Sequence, residues 1–229
     1  MAFVRWITEH SLCYGVAMPR PRVHDPDSVL DAVERLAARS GPEAVSIRAI
    51  SSAVGMSNGA LYHTFSSRNE LMAQAWLRAG RRFLAVQTTL VDSALQPGAG
   101  GSEPRVDAVV AAADAPIAFA ERHPDSAAVL LRVNRDELLA GPLSDAIADA
   151  LRLLDTELIA LMVRLADAMW NRRDAAAVDV ITACIVDLPT ALVLSRDRRD
   201  KPTAREHVRA AVRAVLTVPP PEYRREGRP

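Results

Sequence analysis

Apolar residues recur every three or four positions along most of the chain, a spacing that places them on one face of an α-helix. The first such run follows Asp25-Pro26. This is a favourable helix start, because Asp accepts hydrogen bonds from free backbone N–H groups and Pro is preset for the first turn. The run stops at Ser40-Gly41-Pro42. Its apolar positions are Val29, Val33, Leu36 and Ala37.

Three further helices are predicted before the first long loop. Gly55-Met56 separates the first two, and Ser57 can cap the second of them. Ser67 and Glu70 have the S-x-x-E spacing of a capping box, which predicts the start of a long helix. The expected limits are Ser46 to Val54, Ser57 to about Phe65, and Ser67 to about Asp92.

Residues 96–102 contain several glycines and no large apolar side chain, so they are predicted to form a loop. After this loop only helical patterns appear, at about 104–122, 124–133, 143–171, 174–195 and 202–217. Pro189 is expected to kink the fourth of these near Ile185, because proline removes one backbone hydrogen bond. The pattern therefore predicts an all-α fold.

The same pattern divides the chain into four segments. A helix-turn-helix module with its following helix is expected at 25–83, a helical body at 84–217 and a flexible tail at 218–229. Residues 1–24 lack clear periodicity and include Pro-Arg-Pro-Arg at 19–22. Two interpretations of this segment remain open: a disordered tail, or a basic arm behind a natural start at Met18 in place of Met1.

Composition supports the helical interpretation and restricts the partners. Of 229 residues, 49% are hydrophobic and only 4% aromatic, a mix that favours helices in a globular core. The 28 basic residues balance the 28 acidic ones. A chain-wide positive field is therefore absent, and any contact with DNA has to be local.

Cysteine usage and hydropathy point to a cytoplasmic protein. Cys13 and Cys184 lie far apart without metal-ligand spacing, so we expect no disulfide framework, no zinc site and no cofactor. No uninterrupted apolar run reaches the roughly 18 residues that span a bilayer. Arg5 and Glu9 interrupt the first segment, which makes it a poor signal peptide. We therefore expect no membrane partner.

The stretch from Val45 to Leu71 carries the strongest functional signal. Two short helices joined at Gly55 form a helix-turn-helix, the arrangement that places its second helix in the major groove of DNA. No carboxylate occurs between Ala44 and Asn69, so Arg48 and Arg68 make the local field positive. The residues expected to pack the two helices together are Ile50, Val54, Leu61 and Phe65.

The outward-facing residues of this stretch suit contact with DNA. Asn58, His63 and Thr64 can reach base edges or phosphates, and Tyr62 can donate to a phosphate. The small residues at positions 59 and 60 permit a close approach. Three simpler interpretations remain open: a plain helical bundle, His63 as a solvated side chain, and a serine at 57 that serves only as a helix cap.

This stretch resembles the TetR family of bacterial regulators. The family signature runs through Gly, a hydrophobic residue, Ser, a small residue, Leu-Tyr and Phe to a basic residue and Glu-Leu, and the match covers about 25–76. Thr64 stands where the family often has His, and Arg68 where it usually has Lys. The resemblance implies DNA contacts by Arg48, Ser57, Asn58, Gly59, Ala60, Tyr62, His63, Thr64 and Arg68.

The resemblance also implies roles for the helical body. In the family the last two long helices pair across a two-fold axis, which predicts a homodimer here; packing within one chain is the alternative. Two apolar stripes suit that interface, formed by Val178, Ile181, Ile185, Leu188, Leu192, Val208, Val212 and Val215. The family also holds a small-molecule effector in this region. Candidate pocket residues are Met162, Met169 and Trp170, although such side chains belong more often to a core.

Enzymatic activity is not expected. The chain has no H-E-x-x-H, P-loop, G-x-S-x-G or G-x-G-x-x-G motif, and its five histidines are scattered. The sequence therefore predicts a ligand-responsive, homodimeric transcriptional repressor that binds a palindromic operator in double-stranded DNA. The alternative is a helical ligand-binding or adaptor protein without DNA binding.

Overall fold

The structure is a computed structural model that describes residues 25–96, 103–194 and 201–222. Every regular element in these ranges is helical, which confirms the all-α prediction. The arm at 1–24, most of the loop at 96–102 and the last residues of the tail lie outside the described residues.

The N-terminal helices follow the predicted limits closely. They are α1 (Pro26–Ser40), α2 (Ile47–Val54), α3 (Asn58–Thr64) and α4 (Arg68–Leu95), with a short 3-10 turn at Pro42–Ala44. The Asp25 side chain accepts from the Asp27 N–H at 3.1 Å, so the predicted start of α1 is capped. The boundary expected at residue 83 falls inside α4, which continues from the module into the body.

The body contains one helix more than the pattern predicts. Its helices are α5 (Pro104–Arg122), α6 (Pro124–Arg132), α7 (Arg135–Ala140), α8 (Asp145–Trp170), α9 (Ala175–Thr182) and α10 (Pro202–Leu216). The unpredicted helix is α7. It has six residues, too few to display a helical period, and Asn134 caps it by accepting from the Asp136 N–H at 2.9 Å.

The backbone around Pro189 departs from the regular α-helix. After α9 the chain continues as π-helical turns at Ala183–Asp187 and Thr190–Leu194, on either side of Pro189. The Leu188 N–H bonds to the Ala183 carbonyl, five residues back, because Pro189 has no N–H with which to continue the α pattern. The sequence predicted a kink near Ile185 with one backbone hydrogen bond missing, and the structure has a π-helical segment at this position.

Two apolar clusters hold the fold together, and α4 contributes to both. The first cluster joins the module to α6, α7 and the start of α8. The second lies in the body, where α5 packs against α8, α9 and α10. Burial of Cys184 in the second cluster raises the pKa of its thiol to about 11, so this thiol is protonated at neutral pH.

Half of the side chains predicted at the dimer interface are already buried within one chain. Ile181, Ile185, Val208 and Val212 are at most 2% exposed and pack in the body cluster, so they have no surface left to offer a second copy. This corrects the sequence prediction for these four residues. The other four pack against the cluster and are partly exposed; they are Val178, Leu188, Leu192 and Val215.

One stretch, Ala175–Leu194, is long and apolar enough to cross a membrane by length and composition alone. It is not an uninterrupted apolar run, because Asp179 and Asp187 lie within it, so the prediction that no such run reaches 18 residues stands beside this finding. The core helix of a soluble protein passes the same test, and Ile181, Cys184 and Val193 of this stretch are fully buried or nearly so in the body cluster.

Candidate nucleic-acid interface

A left-handed glycine turn fixes the angle between α2 and α3. Gly55 has φ 70° and ψ 26°, a conformation that costs glycine little, and its N–H bonds to the Ser51 carbonyl at 2.9 Å. Ser46 caps α2 and Ser57 caps α3, each accepting from the N–H three residues later, at 3.2 and 3.1 Å. The two short helices therefore have defined ends on both sides of the turn.

The inner faces of α2 and α3 are anchored by the side chains that the pattern predicts. Ile50, Leu61 and Phe65 are at most 2% exposed and pack in one cluster with Val29 and Val33 of α1. Val54 lies at the edge of this cluster and is partly buried. Burying this face fixes which side chains of α3 point outward.

All nine residues predicted to contact DNA are exposed. Tyr62 is 56% exposed, unusually open for a large aromatic side chain. Within the described residues, Arg48, Asn58, Tyr62 and His63 make no side-chain hydrogen bond or ion pair. These four side chains can therefore bond to an external partner without breaking a bond inside the protein.

Three of the nine side chains also serve the structure. The hydroxyl of Ser57 caps α3, and Thr64 Oγ1 donates to the Ala60 carbonyl at 3.2 Å. Arg68 donates through Nη2 to the Pro42 carbonyl at 2.5 Å and through Nε to the Val45 carbonyl. Arg68 thus ties α4 to the connection between α1 and α2, and three of its five N–H groups remain for other partners.

Within the described residues, the glycine at position 59 has no packing reason. A Cβ added there would meet nothing closer than Ser57 Oγ at 4.0 Å, so the protein itself has room for a larger residue. Glycine is a poorer helix former than alanine, so its presence without a packing reason fits an external surface that approaches the backbone.

A contact beside the recognition helix was missed by sequence reasoning. Asn69 Nδ2 donates to the carbonyls of Leu138 and Pro142 at 3.0 and 3.2 Å, and Ser144 Oγ donates to Glu70 Oε1 at 3.1 Å. These bonds tie the start of α4 to the α7–α8 connection. No sequence signal predicts them, because the partners are about 70 residues apart and α7 itself is too short to detect.

A second candidate site is a cavity of about 370 Å³ in the body. It lies between α4, α5, α6, α8 and the π-helical segments, and its volume is within the usual range for small-molecule pockets. Its wall includes Trp76, Gly80, Phe83, Leu84, Gln87, Phe119, Ala127, Leu130, Leu131, Leu154, Asp155 and Leu158.

The pocket residues predicted from sequence are not in this wall. Met162 is 6% exposed within the body cluster, and Met169 and Trp170 pack against the same cluster. They belong to the core, the interpretation that the sequence already favoured for such side chains. Among the described residues, no group of three or more His, Cys, Asp or Glu could hold a metal ion.

Comparison with known proteins agrees with this architecture. Residues 29–75 match the family model described as bacterial regulatory proteins, tetR family. No curated protein gives a significant match to the sequence. The matched segment covers α1, α2 and α3 and the first part of α4, and therefore the whole candidate interface.

Solved structures extend the likeness to the body. A transcriptional regulator from Rhodococcus sp. RHA1 is 21% identical, with a TM-score of 0.60 over 85% of this chain and 95% of that one. A putative transcriptional regulator from Pseudomonas aeruginosa PAO1 is 18% identical, with a TM-score of 0.62 over 84% of this chain and 88% of the other. A TetR-like regulator from Rhodococcus sp. RHA1 is 19% identical, with a TM-score of 0.57 over 83% and 92%.

The described chain combines a helix-turn-helix module with an all-helical body, the fold that these transcriptional regulators have. The module matches the tetR family model over residues 29–75, and the described chain has the TetR-like fold. The resemblance inferred from sequence is thereby confirmed.

Proposed function

We propose that this protein is a ligand-responsive transcriptional repressor that binds a palindromic operator as a homodimer. The observation that carries the proposal is the outer surface of α2 and α3. Nine exposed residues form it, no carboxylate occurs between 44 and 69, and four of its side chains lack partners within the described protein. Such a surface suits the polyanionic backbone and the base edges of DNA.

The roles of the nine residues follow from their positions. Asn58, Tyr62 and His63 lie on α3, which enters the major groove, and Arg48 reaches DNA from α2. Tyr62 contacts phosphate, whereas Arg48 and His63 read bases. Thr64 and Arg68 contribute less than the family pattern implies, because each already bonds to backbone carbonyls of the protein.

A second copy of the protein is needed for operator binding, since one module covers only half of a palindrome. Two recognition helices about 34–36 Å apart, one turn of DNA, would meet successive major grooves. We assign the dimer interface to the outer side of the α9 and α10 region. Val178 and Leu188 remain partly exposed there, and Val218 is 65% exposed.

The cavity is the proposed effector site, and α6 connects it to the DNA-binding module. Ala127, Leu130 and Leu131 of α6 line the cavity. On its other side, Ser126 Oγ donates to Glu34 Oε2 of α1 at 2.6 Å. A ligand that displaces α6 therefore acts on α1 directly, and differential affinity for two arrangements is all that release from DNA requires.

A second connection runs through α7. Arg135, its first residue, donates to Asp155 in the cavity wall, and Leu138, near its end, accepts from Asn69 at the start of α4. The α7 segment thus bridges the cavity and the start of α4, which follows α3 in the module. Two connections to one module restrict the ways in which it can rotate relative to the body.

The proposed role is regulatory and non-enzymatic, in the cytoplasm. An adaptor that binds a ligand but no DNA is the alternative. It is disfavoured because it gives no reason for an exposed, carboxylate-free surface with a glycine at position 59.

The test is selection of binding sites from a random duplex library by the purified full-length protein. We expect enrichment of one palindrome, bound by two copies per duplex in sedimentation experiments. Absence of enrichment would favour the adaptor, and enrichment of a single half-site by a monomer would remove the homodimer. Transcription from a promoter carrying the selected site should fall when the protein is present, and a rise would identify an activator.

A further inference from the structure

The α7–α8 connection, residues 141–144, contacts the module beside the end of α3. We infer that this contact, through Asn69 and Gly141, sets the spacing between half-sites that the dimer accepts. Both are positioning residues, which act by orienting α3 and not by touching DNA. The inference rests on the proposed function, which supplies the homodimer and the palindrome. It goes further by naming what determines the spacing of the operator.

A surface groove lies between α3 and the α7–α8 connection. Three residues of α3 and three of the connection line it: Tyr62, His63, Thr64, Pro142, Leu143 and Ser144. The three residues of α3 are among the nine candidate DNA contacts. The body therefore reaches the recognition helix itself, and not only α1.

Asn69 gives this contact its direction. It follows the last residue of α3 by five positions, and its Nδ2 donates to the carbonyls of Leu138 and Pro142 at 3.0 and 3.2 Å. Both N–H groups of the amide are thereby used within the protein. Ser144 Oγ adds a bond to Glu70 Oε1 at 3.1 Å. Since the apolar packing around the contact has no preferred direction, these hydrogen bonds fix the angle between α3 and the body.

Gly141 permits the close approach that this contact needs. Its backbone has φ −85° and ψ 173°, which any residue can adopt, so its conformation does not require glycine. An added Cβ would instead lie 2.6 Å from Asn69 Nδ2 and 2.8 Å from Asn69 Cγ. The missing side chain therefore lets the Asn69 amide lie directly against the backbone of the connection.

Another polar attachment of the module lies on the α1 side, where Ser126 of α6 donates to Glu34 at 2.6 Å. One attachment alone permits rotation about it, whereas attachments on two sides leave the module little freedom. Each base pair added between the half-sites moves the second by about 3.4 Å and rotates it by about 34°. A module held on both sides can therefore follow only a narrow range of spacings.

The test is gel-shift titration of the full-length protein against three kinds of duplex: the selected palindrome, palindromes with one base pair added or removed between the half-sites, and a single half-site. The wild type should prefer the selected spacing by about 10-fold or more, because a misplaced half-site loses base contacts. Asn69→Ala should reduce this preference by about 3- to 10-fold, the range of one hydrogen bond. Its affinity for the single half-site should be unchanged, since the surface that meets DNA is intact.

Gly141→Ala tests the same contact from the side of the body. Its methyl group would push the Asn69 amide away from both carbonyls, so the spacing preference should fall as in Asn69→Ala. The double variant should lose no more than either single one, because Asn69→Ala removes the atoms that the methyl group would meet.

Asn171→Gly is the control for the loss of an asparagine. Asn171 is exposed at the other end of α8, about 39 Å along the helix from its start, and glycine readily adopts its left-handed conformation. The spacing preference of this variant should equal that of the wild type. Thermal unfolding confirms that all four variants fold.

Several outcomes would overturn the inference. An unchanged spacing preference in Asn69→Ala would remove the positioning role, and an equal loss on the single half-site would make Asn69 a DNA contact. Additive losses in the double variant would reject a shared contact, and a wild type that binds all spacings equally would reject a fixed geometry. Each of these results leaves the proposed function standing. Absence of a two-copy complex of the wild type on the palindrome would reject the homodimer, and this inference with it.

Discussion

The candidate DNA interface on α2 and α3 and the cavity in the body have opposite properties. On the first, polar side chains such as Arg48 and Tyr62 are exposed and lack partners within the described protein. In the second, the wall is apolar and its carboxylate, Asp155, is already paired. A surface for a large polyanion needs accessible groups on two short helices. An enclosure for a small molecule needs several distant helices to converge.

A buried ionic group lies where these two regions meet. Glu34 of α1 is 3% exposed and accepts from Arg78 Nε at 2.9 Å and from Ser126 Oγ at 2.6 Å. Arg78 also pairs with Asp31 at 2.7 Å; burial alone would lower the pKa of its guanidinium, but hydrogen bonding to Glu34 and the nearby carboxylates raise it. The module is therefore bonded to the body through groups that neither site contains.

Among the substitutions considered, Glu34→Ala is expected to lower the free energy of unfolding most. Removing the buried carboxylate leaves Ser126 without this partner and Arg78 with only the more exposed Asp27 and Asp31, and breaking a buried ion pair typically costs about 3–5 kcal/mol. Chemical denaturation measures the change in the free energy of unfolding. Asp31→Ala removes a half-exposed partner of the same arginine and should cost about 1 kcal/mol or less. Equal losses in the two variants would contradict a special role for the buried contact.

Arg48→Ala should weaken binding to the selected duplex by roughly 1–3 kcal/mol, because it removes the base contact proposed for Arg48. The free energy of unfolding should change by less than about 0.5 kcal/mol, since Arg48 is exposed and has no partner in the described protein. Gel-shift titration gives the affinity. Arg152→Ala, an exposed arginine on α8, is the control and should leave DNA affinity unchanged. A loss in the control alone would place the interface elsewhere.

Substituting one glycine in each region should have opposite effects on the stability of the fold. Gly59→Ala should stabilise the fold by up to about 1 kcal/mol, because the site is open, yet weaken DNA binding by obstructing the approach of the duplex. Gly80→Ala should instead destabilise the fold by about 1–3 kcal/mol, because its Cβ would clash with Leu154. Thermal unfolding and gel shifts give both quantities. Unchanged DNA affinity in Gly59→Ala would argue against close approach at this position.

Tyr62→Phe should give the smallest effect, about 1 kcal/mol, through loss of one hydrogen bond to phosphate. Binding to the selected duplex and to a scrambled duplex should weaken equally, because a phosphate contact carries no sequence information. The ratio of the two affinities is the measurement. A change in that ratio would assign Tyr62 to base reading.

The module was predictable from sequence because its signals are local. Ser46, Gly55 and Ser57 set helix ends through bonds to residues three or four positions away, and the apolar period selects Leu61 and Phe65 as the inner face. The exposure of all nine candidate residues follows from that face. What the pattern could not reveal is that Thr64 and Arg68 also bond to backbone carbonyls.

The body was predictable only as a series of helices. An apolar stripe shows that a helix is buried but not against what, so Ile181 and Val212 could not be assigned to the core rather than to a dimer interface. For the same reason Met162 and Trp170 were candidates for a pocket that lies elsewhere.

The sequence by itself determined the helices of the module, their caps and the identity of the outward face. It also determined that the positive field at this face is local in a neutral chain. Tertiary structure alone decided the cavity, the α7 bridge and the buried contacts of Glu34, since each joins residues some 40 to 90 positions apart. Helical periodicity and capping act over a few residues, whereas the packing of distant helices depends on how all their side chains fit together.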